Sequence, residues 1–323
     1  MTRIYATISG ETNRHPQHPD KSERNMTIKK IVYATDLSRR ADRAGRRALQ
    51  LASDHQADLL ALSVVEADLQ EESLVRLMRG SPEEVARQLV EGTDKALAEH
   101  MEKLGVVEGG TVQSRAVLGH GHKTILSEAK AFGADLLVIG AHGHHHLRDI
   151  FLGTTAENLV RNTDRPILVV KNEPQGRYRK VLVPVDFSER SRHALELAVS
   201  SVADDGTVQV LHVFNTAPLD RIYRTGADDE TVRRIHQQAM AETQQDLSAF
   251  LAQAEVDLDK VESTIRVGYP PLVIEEAANA LNAELLVMGT HGRKHWQDVL
   301  LGGVARRVVN QVRCDVLLSR GRA

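Results

Sequence analysis

The chain has 323 residues, 41% hydrophobic and 26% charged, an ordinary balance for a globular fold, and at ~100–200 residues per domain the length predicts two domains. A formal net charge of -3 and a pI near 6.6 give no strong electrostatic pull toward nucleic acid or anionic lipid, and 3% aromatic residues leave few rings for stacking bases along a single strand. The one cysteine, Cys314, excludes an internal disulfide, and no stretch reaches the ~20 apolar residues that span a bilayer.

Residues 1–27 are polar, with Pro16, Pro19 and several His, Asn and Arg. They read as a disordered tail with no apolar signal segment. Met26 is an alternative start, and the cytoplasm is the expected location. Short β-branched runs then alternate with longer segments in which apolar residues recur every three to four positions. Strands are predicted near Ile31–Thr35, Asp58–Val65, Thr111–Val117, Ala134–Gly140 and Ile167–Val170. A short linker, 173–178, follows. A second set is predicted near Lys180–Val185, Thr207–Val213, Ser263–Val267, Glu284–Gly289 and Val316–Leu318. The charged stretches Glu230 to Arg234 and Ala241 to Asp246 read as solvated helix faces. Cys314, just ahead of the last apolar run, reads as a buried small residue.

The two sets are copies. Ile31 to Ser38 (Ile-Val-Tyr-Ala-Thr-Asp-Leu-Ser) matches Val181 to Ser188 (Val-Leu-Val-Pro-Val-Asp-Phe-Ser), and Ala134 to Gly143 matches Ala283 to Gly292. Gly119 answers to Gly268, and Gly153 to Gly302. So long a period means duplicated domains, 28–172 and 179–323, not a solenoid. Near-continuous apolar strands alternating with helices predict an α/β fold: two doubly wound five-stranded parallel sheets, helices on both faces, strand order 3-2-1-4-5.

In such a sheet, ligands sit beyond the carboxyl ends of the strands where the strand order reverses. That crevice lies between strands one and four. Strand one ends at Asp36 and Asp186; strand four ends at Gly140 and Gly289. The segments that follow read Gly140-x2-Gly143-x9-Gly153-Thr154 and Gly289-x2-Gly292-x9-Gly302-Gly303. Gly143 can take positive φ and turn amide groups toward an anion. Gly153-Thr154 opens a helix predicted over Thr155 to Asn162, whose N–H groups and dipole favour phosphate. Neither a Walker A loop nor a Gly-x-Gly-x-x-Gly is present, so P-loop and Rossmann dinucleotide chemistry are not indicated.

This pattern, with the strand-one Asp, resembles the universal stress protein family, whose ATP-binding members carry Gly-x2-Gly-x9-Gly followed by Ser or Thr. The resemblance covers both halves as a tandem and implies an adenine-nucleotide alpha-hydrolase-like fold. It implies that Ala34, Thr35 and Asp36 meet adenine and ribose, that Val64 makes an apolar contact to the base, and that Ile139 and Gly140 line strand four. His142, Gly143, Gly153, Thr154 and Thr155 would cradle the phosphates of ATP, with magnesium as a possible companion. The matching positions of copy two are Pro184, Val185, Asp186, Val213, Met288, Gly289, Gly292, Gly302, Gly303 and Val304. There Gly303 replaces the hydroxyl residue, so the second site is expected to bind nucleotide weakly or not at all.

Plainer readings stand beside these. Asp36 and Asp186 also suit a cap of the next helix, with Ser38 and Ser188 as alternatives, though ligand contact is the favoured reading. His142, His144, His145 and His146 crowd one loop, but adjacent histidines lack the spacing of a zinc site, so a solvated loop is expected and a metal there is not. No general base and no paired carboxylates stand out. The functions in play are a nucleotide-binding stress-response regulator, a slow ATPase assisted by Asp36 and the loop histidines, and a nucleotide-independent scaffold or a metal or lipid carrier. The final strands, Ile167–Val170 and Val316–Leu318, would be apolar edges if unpaired. The resemblance implies that they pair, within the chain as a pseudo-dimer, with a homodimer also open.

Overall fold

The computed structural model describes residues 6–7, 28–66, 81–141, 152–217, 228–290 and 301–320. The chain divides into two compact units that part between Gly176 and Arg177.

In the first unit, β1 (Lys30–Ala34), β2 (Asp58–Val65), β3 (Val112–Leu118), β4 (Leu136–Gly140) and β5 (Ile167–Val170) form one parallel sheet. Its spatial order is β3-β2-β1-β4-β5. Helices α1 (Asp42–His55), α2 (Pro82–Leu104), α3 (Gly121–Phe132) and α4 (Thr154–Asn162) occupy the crossovers. The central strands are apolar throughout because helices cover both faces: Ile31, Val32, Leu59, Leu60 and Val138 are completely buried. Helix α2 starts where the sequence supplies a cap and a stop: Ser81 accepts from the Glu84 amide, Glu84 answers with its side chain, and Pro82 fills the first turn.

The second unit repeats the plan. Strands β6 (Tyr178–Val185), β7 (Val202–Phe214), β8 (Val261–Val267), β9 (Leu285–Gly289) and β10 (Asp315–Ser319) are ordered β8-β7-β6-β9-β10. Helices α5 (Glu189–Ser201), α6 (Asp229–Gln253), α7 (Pro270–Leu281) and α8 (Gly303–Gln311) lie between them. Both units are thus doubly wound in the order 3-2-1-4-5. Within the stretch read as a tail, Ala6–Thr7 is a two-residue strand antiparallel to β8. Helix α6 buries only Thr243, Leu247 and Phe250, all in its second half.

Residues read as the linker are partly tied down in the first unit. Glu173 accepts two hydrogen bonds from Arg46 at 2.9 Å, and the buried Arg47 donates to the Gly176 carbonyl at 2.8 Å. The Arg46 guanidinium holds the Glu173 carboxyl below the usual carboxylate range. This bidentate pair is largely exposed, so it orients the chain more than it stabilises the fold.

Truncating the sheet core should show its weight. Leu60→Ala, at a completely buried site of β2, is expected to lower unfolding free energy by about 2–5 kcal/mol, measured as a shift in the urea midpoint.

Candidate functional site

Strands β1 and β4 pair in parallel, Ala34 beside Ile139, and their chain continuations leave toward opposite sides of the sheet. A crevice opens beyond their ends for that topological reason. It forms a cavity of about 310 Å³ in the first unit, at the small end of the ~300–1,000 Å³ typical of small-ligand sites.

Each wall comes from a separate element. Strand β1 delivers Ala34, Thr35 and Asp36, β2 delivers Val64, and β4 delivers Ile139 and Gly140. Gly153, Thr154 and Thr155 come from the start of α4. These nine residues, singled out from the sequence, face one hollow. His142 and Gly143 lie outside the described residues, as do His144, His145 and His146. The sequence reading missed Ala41, Glu66, Gly121 and Ile125, and also Ala141, Ala156 and Leu159, which line the cavity too.

A backbone closure sets the position of α4. The Gly153 amide donates to the Ala141 carbonyl at 3.0 Å, and the Ala141 amide to the Val170 carbonyl at 3.1 Å. The chain therefore returns to the end of the strand it left. Gly153 is the N-cap of α4 and provides no side-chain cap. The first-turn amides, with the Thr154 and Thr155 hydroxyls beside them, form the donor-rich wall of the cavity.

The β1 wall is set by a turn. Leu37, directly after Asp36, has φ 60°, in the left-handed region that β-carbons disfavour. Asp36 Oδ1 accepts from the Ser38 amide at 3.0 Å, and Thr35 Oγ1 accepts from the Leu37 amide at 3.0 Å. The exposed Asp36 carboxylate stays at the cavity mouth. Asp36 is not the helix cap; Ala41 holds that position and has no capping side chain. Beneath the turn, the buried Tyr33 hydroxyl donates to the Ala41 carbonyl at 2.8 Å, and burial pushes its phenol well above its ordinary pKa.

The second unit keeps the backbone and changes the chemistry. Phe187 has φ 62°, and the Gly302 amide donates to the Thr290 carbonyl at 2.9 Å, repeating both devices. Pro184, Val185, Val213 and Met288 are buried around the strand ends. Gly302 is the N-cap of α8, Gly303 its first residue, and Val304 is 38% exposed. Gly292 lies outside the described residues. At the positions of Thr35, Thr154 and Thr155 stand Val185, Gly303 and Val304, so three hydroxyls are gone.

The second carboxylate is also differently engaged. Asp186 Oδ1 accepts from the Ser188 hydroxyl at 2.5 Å and the Ser191 hydroxyl at 2.6 Å. Ser191 stands where the first unit has Ala41. Ser188 caps α5 with Ser191 as its reciprocal partner, so the capping role falls to Ser188 and not to Asp186. Gly289 packs against the backbone and Cβ of Arg190. Among the described residues no group of three or more His, Cys, Asp or Glu side chains could hold a metal ion, and no helix is long and apolar enough to cross a membrane.

Comparison with known proteins agrees with the duplication. The model of the Universal stress protein family matches residues 27–171 and again 177–320. A universal stress protein of Mycolicibacterium smegmatis is 27% identical over 301 residues, covering 90% of this chain and 97% of that protein. A universal stress protein E homolog of Haemophilus influenzae is 24% identical over 311 residues, covering 90% and 97%. Among solved structures, a universal stress protein from Archaeoglobus fulgidus aligns with a TM-score of 0.59 at 18% identity, covering 90% of this chain and 95% of that one. That last likeness speaks for the fold alone.

Removing the cap that engages Asp186 should be felt locally. Ser188→Ala is expected to destabilise the second unit by about 1 kcal/mol, visible in hydrogen exchange as faster opening of the first turn of α5 with α1 unchanged.

Proposed function

Since the chain belongs to the universal stress protein family, we propose that it binds an adenine nucleotide, ATP, in the first domain and acts as a stress-response regulatory protein. The observation that carries this reading is one cavity that combines the start of α4 and its two threonines with apolar walls from β2 and β4 and a carboxylate at the end of β1. Phosphate suits the first: unpaired amides and hydroxyls point where negative charge would sit. An adenine ring suits the apolar Val64 and Ile139. Ribose hydroxyls suit Asp36, an acceptor that a phosphate would avoid.

The chemistry proposed is binding and not turnover. Among the described residues lining the cavity there is no histidine or lysine. Nucleotide would then act by biasing the surface around the cavity mouth, and a partner would read that surface.

The second domain is proposed to bind nucleotide weakly or not at all. The lost hydroxyls of Thr154 and Thr155 remove donors to a charged ligand, each contributing ~1.5–3 kcal/mol. The engagement of Asp186 by two serine hydroxyls leaves less acceptor capacity for a sugar.

Two measurements test the proposal. Calorimetry of the full chain with ATP should give one dominant site. Thr154→Val should weaken that site by roughly one to two decades, with the unfolding temperature of the free protein little changed. No heat and no thermal shift with ATP, ADP or AMP would refute the reading. Conversely, a β-carbon at Gly303 meets nothing within 4 Å, so Gly303→Ser fits without strain. In a Thr154→Val background, Gly303→Ser is expected to raise the affinity of the second site by about tenfold.

A further inference from the structure

The walls of the first cavity carry two carboxylates, Asp36 and Glu66, and among the described residues lining it there is no Lys or Arg. That is an unexpected charge balance for a hollow that offers its amides to phosphate. Glu66 follows the last residue of β2 and is exposed, with its carboxylate directed across the opening toward the start of α3. A β-carbon built on Gly121, the first residue of α3, would lie 2.3 Å from Glu66 Oε1 and 3.9 Å from Thr155 Oγ1. Carboxylate and hydroxyl thus flank the same spot, which is open only because residue 121 has no side chain. The Gly121 backbone, at φ 22°, also favours glycine there. Glu66 consequently stands beside the donor-rich first turn of α4, on the side where the phosphate chain would lie.

We propose that Glu66 is a specificity-determining residue that discriminates among adenine nucleotides by charge, penalising the triphosphate relative to ligands with fewer phosphates. The inference rests on the adenine-nucleotide reading of this cavity. Its physical basis is Coulombic. A fixed negative charge beside a helix N-terminus offsets part of the attraction that the amides exert on an anion. The offset grows with each phosphate charge brought near it, and vanishes for an uncharged nucleoside. The second domain lacks the arrangement: Asn215 stands at the position of Glu66 and Pro270 at that of Gly121.

Affinities of the full chain for adenosine, AMP, ADP and ATP, measured by calorimetry for wild type, Glu66→Gln and Glu66→Asp, test this. Each series is run in EDTA and in magnesium, at low and at high salt. In EDTA at low salt, Glu66→Gln should tighten ATP by about three- to tenfold, tighten ADP and AMP progressively less, and leave adenosine within about twofold. The gain should shrink at high salt. Glu66→Asp, which keeps the charge, should preserve the wild-type order. A uniform change across all four ligands would overturn the inference. So would a loss of adenosine and ATP affinity together, which would make Glu66 an acceptor for base or sugar. A loss of ATP affinity confined to magnesium would overturn it too, by making Glu66 a metal ligand. Binding of none of the four ligands by any of the proteins would instead refute the adenine-nucleotide reading itself, and this inference with it.

Discussion

A hydrogen bond from the Gly153 amide to the Ala141 carbonyl holds the first site in place. Strand β4 ends, the chain leaves, and this bond returns it to the point of departure with Gly153 as the cap of a helix. The start of α4 is thereby fixed over the end of β1 whatever the intervening residues do. The second domain closes in the same way, Gly302 to Thr290. The preserved glycine spacing is the sequence trace of this closure.

Around the shared closure the two domains differ in their side chains and in where the helix after the first strand begins, Asp42 in one and Glu189 in the other. The turn after β1 is left-handed at Leu37 in one copy and at Phe187 in the other, a conformation that costs about 1 kcal/mol for a non-glycine residue. Both copies retain it, and in both the preceding Asp accepts from the Ser amide two residues on. The difference is in what else reaches that Asp. In the second domain Ser191 adds a hydroxyl from the first turn of α5, whereas Ala41 has none to give. The carboxylate has become part of a capping network there. In the first domain the same atoms stay at the mouth of a cavity. The residue five positions downstream, Ala41 or Ser191, decides whether a hydroxyl from the next helix reaches the carboxylate.

Much of this was legible in the sequence because the relevant signals are local. Strand–helix alternation and the repeat gave both sheets and their strand order. The glycine pattern, the strand-end Asp and the family resemblance they carry marked nine residues that line one cavity. What escaped is tertiary. Strand β7 begins at Val202, not near Thr207, because Ala203-Asp204-Asp205-Gly206 has the composition of a turn. Its first residue, Val202, pairs with Tyr178 of β6, the register then shifts, and regular pairing resumes with Lys180 opposite Thr207. A β-carbon at Gly206 would sit 2.8 Å from the Arg179 carbonyl, so the glycine lets this irregular segment pass close to β6. Glu66 was invisible for a related reason. An acidic residue after a strand reads as solvated, and nothing in its neighbourhood says that Gly121, over fifty residues away, leaves room beside it.

Glu66 also bears on what a glycine-lined cradle can specify. Helix N-termini attract anions more strongly the more charge they carry, since a dipole end of about half an elementary charge rewards each phosphate brought close, so they cannot select against added charge. Shape limits the length of a ligand but not its charge. Discrimination by charge needs a second, opposing field within a few ångströms, set on an element that does not move with the cradle. A carboxylate at the end of β2 satisfies that condition, because β2 is held in the sheet while the donors sit on α4. On the proposed reading the donors supply affinity and the carboxylate supplies selectivity, and the duplicated domain has altered both, with Gly303 and Val304 at the positions of Thr154 and Thr155 and Asn215 at that of Glu66.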